Sequence, residues 1–320
     1  KIFQILRVFF NEIQKYYTKF EIFNIFKKNK RILLFLFENN IITPNELIAS
    51  IISNEKYTRT FYTQYFYPEF DHIFSSQKKE EIILHPKLIE NNFQLLKNGR
   101  KIVNNYNLIQ KLIIKDSLND FISYVNSQNI PLDYIIKKQI TQTSFFIIKN
   151  EINLIEYAAL SGSVQIFKYL VSNKVEIKPF LWLSAIHGNN SEIIHILEDL
   201  RIQPPDNNFL NCFKEAVKCH HNDFAKYIKN NYLNDDGEIK LTCISQCLKY
   251  YNFEMLDEID FSFDDVLNQD IIYSLIMNEY LEIVDFILQN GNEFVDLNKI
   301  LNSIFINSIQ KLTYFEYNLQ

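Results

Sequence analysis

An all-α solenoid, made of stacked helix-turn-helix repeats behind a helical N-terminal region, is the fold this sequence predicts. Three observations carry the prediction. Five stretches superpose on one another with almost no gaps, and each reads as two short amphipathic helices. Only 5 Gly and 7 Pro occur in 320 residues, too few for an all-β chain that needs a turn every ten residues or so.

The clearest stretch is 153–173, NLIEYAALSGSVQIFKYLVSN, with counterparts at 180–200, 211–231, 242–260 and 270–290. An acidic or amide residue opens each second half: Gln165, Glu192, Asp223, Glu254 and Glu282, at steps of 27, 31, 31 and 28 residues. A period of that size belongs to stacked supersecondary units and not to one globular core. In 180–200, Leu181, Trp182, Ala185 and Ile186 line one face of a short helix. His187-Gly188-Asn189-Asn190 then breaks the run, and Ser191-Glu192 starts a second helix. Helices this short are marginal alone in water and must gain stability from their neighbours.

The columns agree across repeats. A bulky apolar anchor recurs in the first helix as Ile155, Trp182, Phe213, Ile244 and Ile272. Three residues later stand Ala158, Ala185, Ala216, Cys247 and Leu275, and the second helices end on Leu170, Leu197, Ile228, Ile259 and Ile287. Four of the five in that middle column are small, Leu275 being the exception; small residues where helices approach, and large ones where layers interlock, are what close packing of helix pairs requires. Polar connectors such as 203–208 and 234–237 separate the repeats.

Upstream the pattern weakens. Residues 113–125 match with Asp120 as the opening residue, and the surplus before 153 reads as an inserted loop or short helix packed against the stack. The predicted organisation is an irregular helical region over 1–104 and repeats over 105–320. The repeats fall at about 105–127, 153–173, 180–200, 211–231, 242–260 and 270–290, with an insertion near 128–150. Residues 27–40 read as the second half of a degenerate repeat. Thr43-Pro44-Asn45-Glu46 reads as a helix start, with Thr43 the cap and Pro44 the first helical residue. Residues 54–86, rich in Tyr and Phe, are the least regular. The last residues, FEYNLQ, leave an apolar helix still running, so the array is expected to continue past Gln320.

Composition narrows the function classes. A formal net charge of −5 gives no general attraction to phosphate backbones or anionic lipid, so nucleic acid is not the expected partner. The longest apolar run, Ile32 to Phe37, is far short of the ~20 residues a membrane helix needs. With no signal-peptide pattern and four Cys at no disulfide-framework spacing, a cytoplasmic protein without membrane insertion is expected. The abundance of Phe, Tyr, Ile, Lys and Asn reads as the bias of an AT-rich genome.

Residues 153–173 resemble an ankyrin repeat: Ala158-Ala159, Gly162 and Ile166-Phe167 fit its shared form, and Glu192-Ile193-Ile194 and Glu282-Ile283-Val284 fit its second-helix opening. Over about 105–290 the chain is similar to the large divergent ankyrin-repeat families of parasitic protists, whose repeats follow an irregular helical region. It departs from them in lacking an intact T-P-L-H tetrad. Gly162 is replaced in later repeats by Asn189, His220, Tyr251 and Glu279, and the spacing is short. The β-hairpin fingers are therefore expected to be plain loops, and binding to shift to the concave helical face.

The resemblance implies that the two variable residues after the Ala-Ala pair face that groove. They are Leu160, His187, Lys218, Lys249 and Met277, then Ser161, Gly188, Cys219, Tyr250 and Asn278. His187, Lys218 and Lys249 would form a basic stripe beside Tyr250 and Tyr251, suited to an acidic peptide. These five are the expected contacts of a protein partner. A metal is the rival use of the local chemistry. Cys212, Cys219, His220, His221, Cys243 and Cys247 fall in two adjacent repeats, with His187 one earlier. No C-x2-C pair exists, and Cys212, Cys243 and Cys247 sit in apolar columns as core thiols would. No metal and no cofactor are expected. Asp235-Asp236-Gly237-Glu238 lacks the oxygen spacing of a calcium loop, and no G-x-S-x-G, H-E-x-x-H or phosphate-binding Gly loop occurs.

The function expected is non-catalytic protein binding, as an adaptor or scaffold. A targeting module of a larger enzyme or effector, and a self-associating structural protein, stand as alternatives.

Overall fold

The computed structural model describes residues 8, 12–27, 29–54, 59–74, 86–101, 107–140, 144–234, 236–278 and 280–290. Among these residues every regular element is a helix, beside an isolated antiparallel bridge between Ile135 and Asn153. None of the helices is long and apolar enough to cross a membrane. The chain forms two compact units. The first comprises Lys1–Asn107 and Ile135–Asn153, the second Leu108–Tyr134 and Leu154–Gln320.

The first unit is built around the helix Lys30–Glu38, in which every residue from Ile32 to Phe37 is buried. A helix apolar all round belongs at the centre of a core, and this segment is the hub of the unit. Phe66 and Phe70 meet Phe37 edge-on at 5.7 and 5.5 Å between ring centres, the arrangement that aromatic quadrupoles favour. Buried Arg100 forms a two-pronged ion pair with Glu69 at 2.7 and 2.8 Å and donates to Tyr65 O at 2.7 Å. Lys30 is fully buried, its Nζ 4.9 and 4.8 Å from the Tyr62 and Tyr65 ring centres.

Two expectations change in this unit. The helix Glu46–Asn54 is capped by Asn45, whose Oδ1 accepts from Ile48 N at 2.9 Å, so it starts two residues later than a Thr43 cap implies. An amide side chain next to the first turn reaches the free N–H, and Pro44 precedes the helix instead of opening it. The inserted segment, expected against the repeats, belongs here from Ile135 onward: Ile148 lies in this core, and Lys30 Nζ reaches Ile140 O at 3.5 Å. Much of 54–86 and all of 291–320, including the expected continuing helix, lie outside the described residues.

The second unit is built from helix pairs, with a further one-turn helix, Phe263–Val266, ahead of the last pair. The pairs are α1 (Leu108–Ile114) with α2 (Leu118–Ser127), α3 (Leu154–Leu160) with α4 (Val164–Ser172), α5 (Leu181–Gly188) with α6 (Ser191–Asp199), α7 (Leu210–Lys218) with α8 (Asn222–Tyr232), α9 (Gly237–Lys249) with α10 (Phe253–Leu256), and α11 (Gln269–Met277) with α12 (Leu281–Asn290). Each first helix packs on the next, from α1 through α11, while α2 meets α4, α4 meets α6, and α8 meets α10. The anchor, small-residue and second-helix columns are buried at every position named above. Trp182 is core, as its column implies: its Nε1–H donates to Ile202 O at 2.7 Å and its ring meets Phe209 edge-on. One half-repeat is cut short, since α10 is a single turn, though Ile259 still reaches the core.

The first five pairs each turn on one residue in the left-handed region: Asp116 (φ 50), Gly162 (φ 68), Asn189 (φ 54), His220 (φ 56) and Tyr251 (φ 53). A glycine is free there, and an L-residue pays strain. The bond from Ser163 N to Ala158 O that closes the Gly162 turn recurs at turns without Gly, from His221 N to Ala216 O and from Asn252 N to Cys247 O. In the first pair Asp116 and Ser117 match Gly162 and Ser163, so Asn119, not Asp120, aligns with Gln165.

Candidate functional site

The residue two before the opening residue of each second helix, from 163 to 280, ties its helix pair to the one before. Ser163 Oγ donates to Ile113 O, Asn190 Nδ2 to Gly162 O at 3.3 Å, and His221 Nδ1–H to Ile186 O at 2.9 Å. Asn252 Nδ2 donates to Val217 O at 3.0 Å, and Tyr280 Oη to Leu248 O at 2.8 Å. Ile113, Ile186, Val217 and Leu248 O each accept a turn N–H as well, so the side chain takes a second lone pair, and the five bonds set the stagger between pairs. Asp116 adds a second kind of tie, its carboxylate accepting from Gln165 N and Ile166 N at the start of α4. Asn252 is almost fully buried and also caps α10 through Met255 N at 3.2 Å. Asn252→Ala removes the cap and the tie to Val217 O, which keeps its backbone bond from His220 N, so we expect about 1–2 kcal/mol of lost stability. Urea unfolding followed through Trp182 fluorescence checks this, and a loss under about 0.5 kcal/mol would mean the ladder is not a stabilising element.

With that stagger set, the ends of the first helices stand side by side. Leu160, His187, Lys218, Lys249 and Met277 are each the last or next-to-last residue of their helix. His187, Lys218 and Tyr250 gather around two residues, Glu215 and Cys219. Lys218 Nζ contacts both Glu215 oxygens at 2.7 and 2.8 Å. Cys219 Sγ lies 3.1 Å from His187 Nδ1 and 3.8 Å from Glu215 Oε1. Lys249 Nζ sits 5.4 Å from the Tyr250 ring centre, within cation–π range. Tyr251 stands apart from this group. It is 56% exposed, donates to Asn278 O at 3.2 Å and packs near Tyr280, which Phe253 also meets.

Electrostatics differ from a plain basic stripe. Glu215 offsets Lys218, and burial pushes the His187 imidazole below its usual range, with Glu215 opposing and Lys218 and His221 adding to the shift. Burial raises the Cys219 thiol to about 12, with Glu215 reinforcing it. Burial likewise raises the Tyr250 phenol, against the pull of Lys218. At neutral pH the cluster therefore holds a neutral imidazole, a thiol, a phenol and one internal ion pair. Lys249 is exposed at its edge.

Glu215 is the member that column reasoning missed. It faces the groove from one turn before Cys219, and its signal is the Glu-x-x-Lys spacing to Lys218, common on any solvated helix. Among the cysteines, Cys212, Cys243 and Cys247 are buried, and only Cys219 is reachable. His220 is exposed at a turn, His221 is engaged in the ladder, and Asp235 of the acidic turn lies outside the described residues.

Residues 173–257 match a family described as a domain of unknown function (DUF3447). That stretch contains His187, Glu215, Lys218, Cys219, Lys249 and Tyr250. No curated protein and no solved structure matches the chain.

Proposed function

We propose that this chain is a non-catalytic protein-binding module, an ankyrin-like solenoid that holds partner proteins on the concave face of its first helices. The observation that supports it best is the alignment of helix ends from α3 to α11, which presents equivalent residues in a row on a packed frame. A face held by side-chain-to-carbonyl ties loses little freedom on binding, and affinity can then come from a few central side chains. Tyr250, with Lys249 over its ring, and exposed Tyr251 are the anchors in this reading, with His187 and Lys218 at the centre of the row. Tyrosine offers a large, stiff contact area at low entropic cost. Nucleic acid does not fit a chain of net charge −5.

The test is affinity capture from native-cell lysate with wild type and a variant carrying Ala at Lys218, Lys249, Tyr250 and Tyr251. A melting curve must first show the variant folded. The expected result is a protein retained by wild type and weakened about 100-fold or more in the variant, as for loss of two aromatic anchors. Equal retention by both would remove the site from this face.

A further inference from the structure

We infer that His187, Glu215 and Cys219 form a binding site for a thiophilic divalent cation, zinc foremost. The inference rests on their own geometry and stands whether or not the face binds a protein. The donors come from successive helix pairs: His187 from the end of α5, Glu215 from the last turn of α7, and Cys219 from its cap. The imidazole nitrogen, the sulfur and a carboxylate oxygen all lie within 4.8 Å of one another, and all three residues are half-buried.

A tetrahedral zinc, with Zn–S about 2.3 Å and Zn–N or Zn–O about 2.0–2.1 Å, spaces its ligand atoms by about 3.3–3.6 Å. The 3.1 Å Nδ1–Sγ distance would open slightly, and the 3.8 Å Sγ–Oε1 distance would close by a similar amount. The remaining separation, between the imidazole nitrogen and a Glu215 oxygen, is at most 4.8 Å and is the one that rotation of the Glu215 side chain would close. A sulfur, an imidazole and a carboxylate together suit zinc and its neighbours, and suit magnesium or calcium poorly. Three protein ligands leave a fourth position for water or for a donor from outside.

Binding replaces the Cys219 S–H bond with a metal–sulfur bond and releases that proton to solvent. It also replaces Lys218, which holds both oxygens of Glu215 in the metal-free chain. Lys218 is thus a built-in competitor, and its removal should strengthen metal binding.

The test is cobalt titration of the whole chain, treated with chelator and kept reduced. Wild type should show a thiolate-to-cobalt charge-transfer band that zinc abolishes, with a rise in melting temperature. Cys219→Ser should lose the band. His187→Gln and Glu215→Gln, which keep the side-chain volume, should bind about 10–100-fold more weakly. Lys218→Ala should bind several-fold more tightly, and His220→Ala, outside the cluster, should match wild type. Absence of the band in folded wild type would overturn the site. So would a band that persists in Cys219→Ser, or unchanged affinity in both His187→Gln and Glu215→Gln.

Discussion

Gly188→Ala should destabilise the second unit by about 3 kcal/mol or more, although it adds one methyl group to a helix. A Cβ at Gly188 would lie 2.0 Å from Ala159 O and 3.1 Å from the carbonyl carbons of Ala159 and Leu160. All three are backbone atoms of the preceding pair, so no side chain can swing aside, and α5 must back away from α3. Overpacking of this kind ordinarily costs about 1–3 kcal/mol, and a backbone clash belongs at or above the top of that range. The displaced helix end carries His187, so metal affinity should fall with stability. Gly237→Ala is the matched control: its Cβ meets nothing within 4 Å, and alanine in a first turn is neutral to mildly stabilising. Urea unfolding read through Trp182, the chain's one tryptophan, compares the two. If Gly188→Ala unfolds at the same urea concentration as Gly237→Ala, the close approach of α5 to α3 is not as described.

The second large effect is a pH dependence in the first unit. Burial lowers the Lys30 ammonium from its usual 10.5 to about 7, and the Tyr62 and Tyr65 rings offset only part of the lost hydration. Between about pH 7 and 10.5 the unfolded chain keeps a proton that the folded chain has released. Stability therefore rises with pH across that window and is lowest below it. Tyr65 does not interfere, since burial raises its phenol to about 12. Lys30→Met should stabilise this unit by about 3–5 kcal/mol at pH 6, at 1.36 kcal/mol per pKa unit, and by little at pH 10.5. Circular dichroism in urea at the two pH values measures it, with Trp182 fluorescence marking the other unit. A Lys30→Met gain that is equal at both pH values would show that Lys30 is not buried as a neutral amine.

These two residues mark where sequence reading stops. Gly188 falls at a variable position of its repeat, and column logic reads it as one of the groove residues. Its actual role is to let a helix end touch the preceding backbone. Lys30 opens an apolar run, where a lysine normally snorkels to water, and nothing local says that Tyr62 and Tyr65 close over it. The ladder lies between these cases. Ser163, Asn190, His221, Asn252 and Tyr280 each stand two residues before the opening residue of the second helix. That polar column was legible, but its carbonyl partners in the preceding pair were not.

The sequence by itself determined that the described chain is helical, where the helix pairs between 108 and 290 fall, and which anchor, small and terminal residues enter the core. It could do so because burial of one helix face is written as a local period, readable within a single repeat. The tertiary structure alone decided that Glu215 and Cys219 meet His187, that Glu215 neutralises Lys218 while Tyr251 stands apart, and that 135–153 joins the first unit. The meetings around Glu215 depend on the stagger between successive pairs, set by Gly188 and by side chains bonded to carbonyls some 28 to 50 residues away. A period fixes which face is buried, while the stagger fixes which residues meet across it.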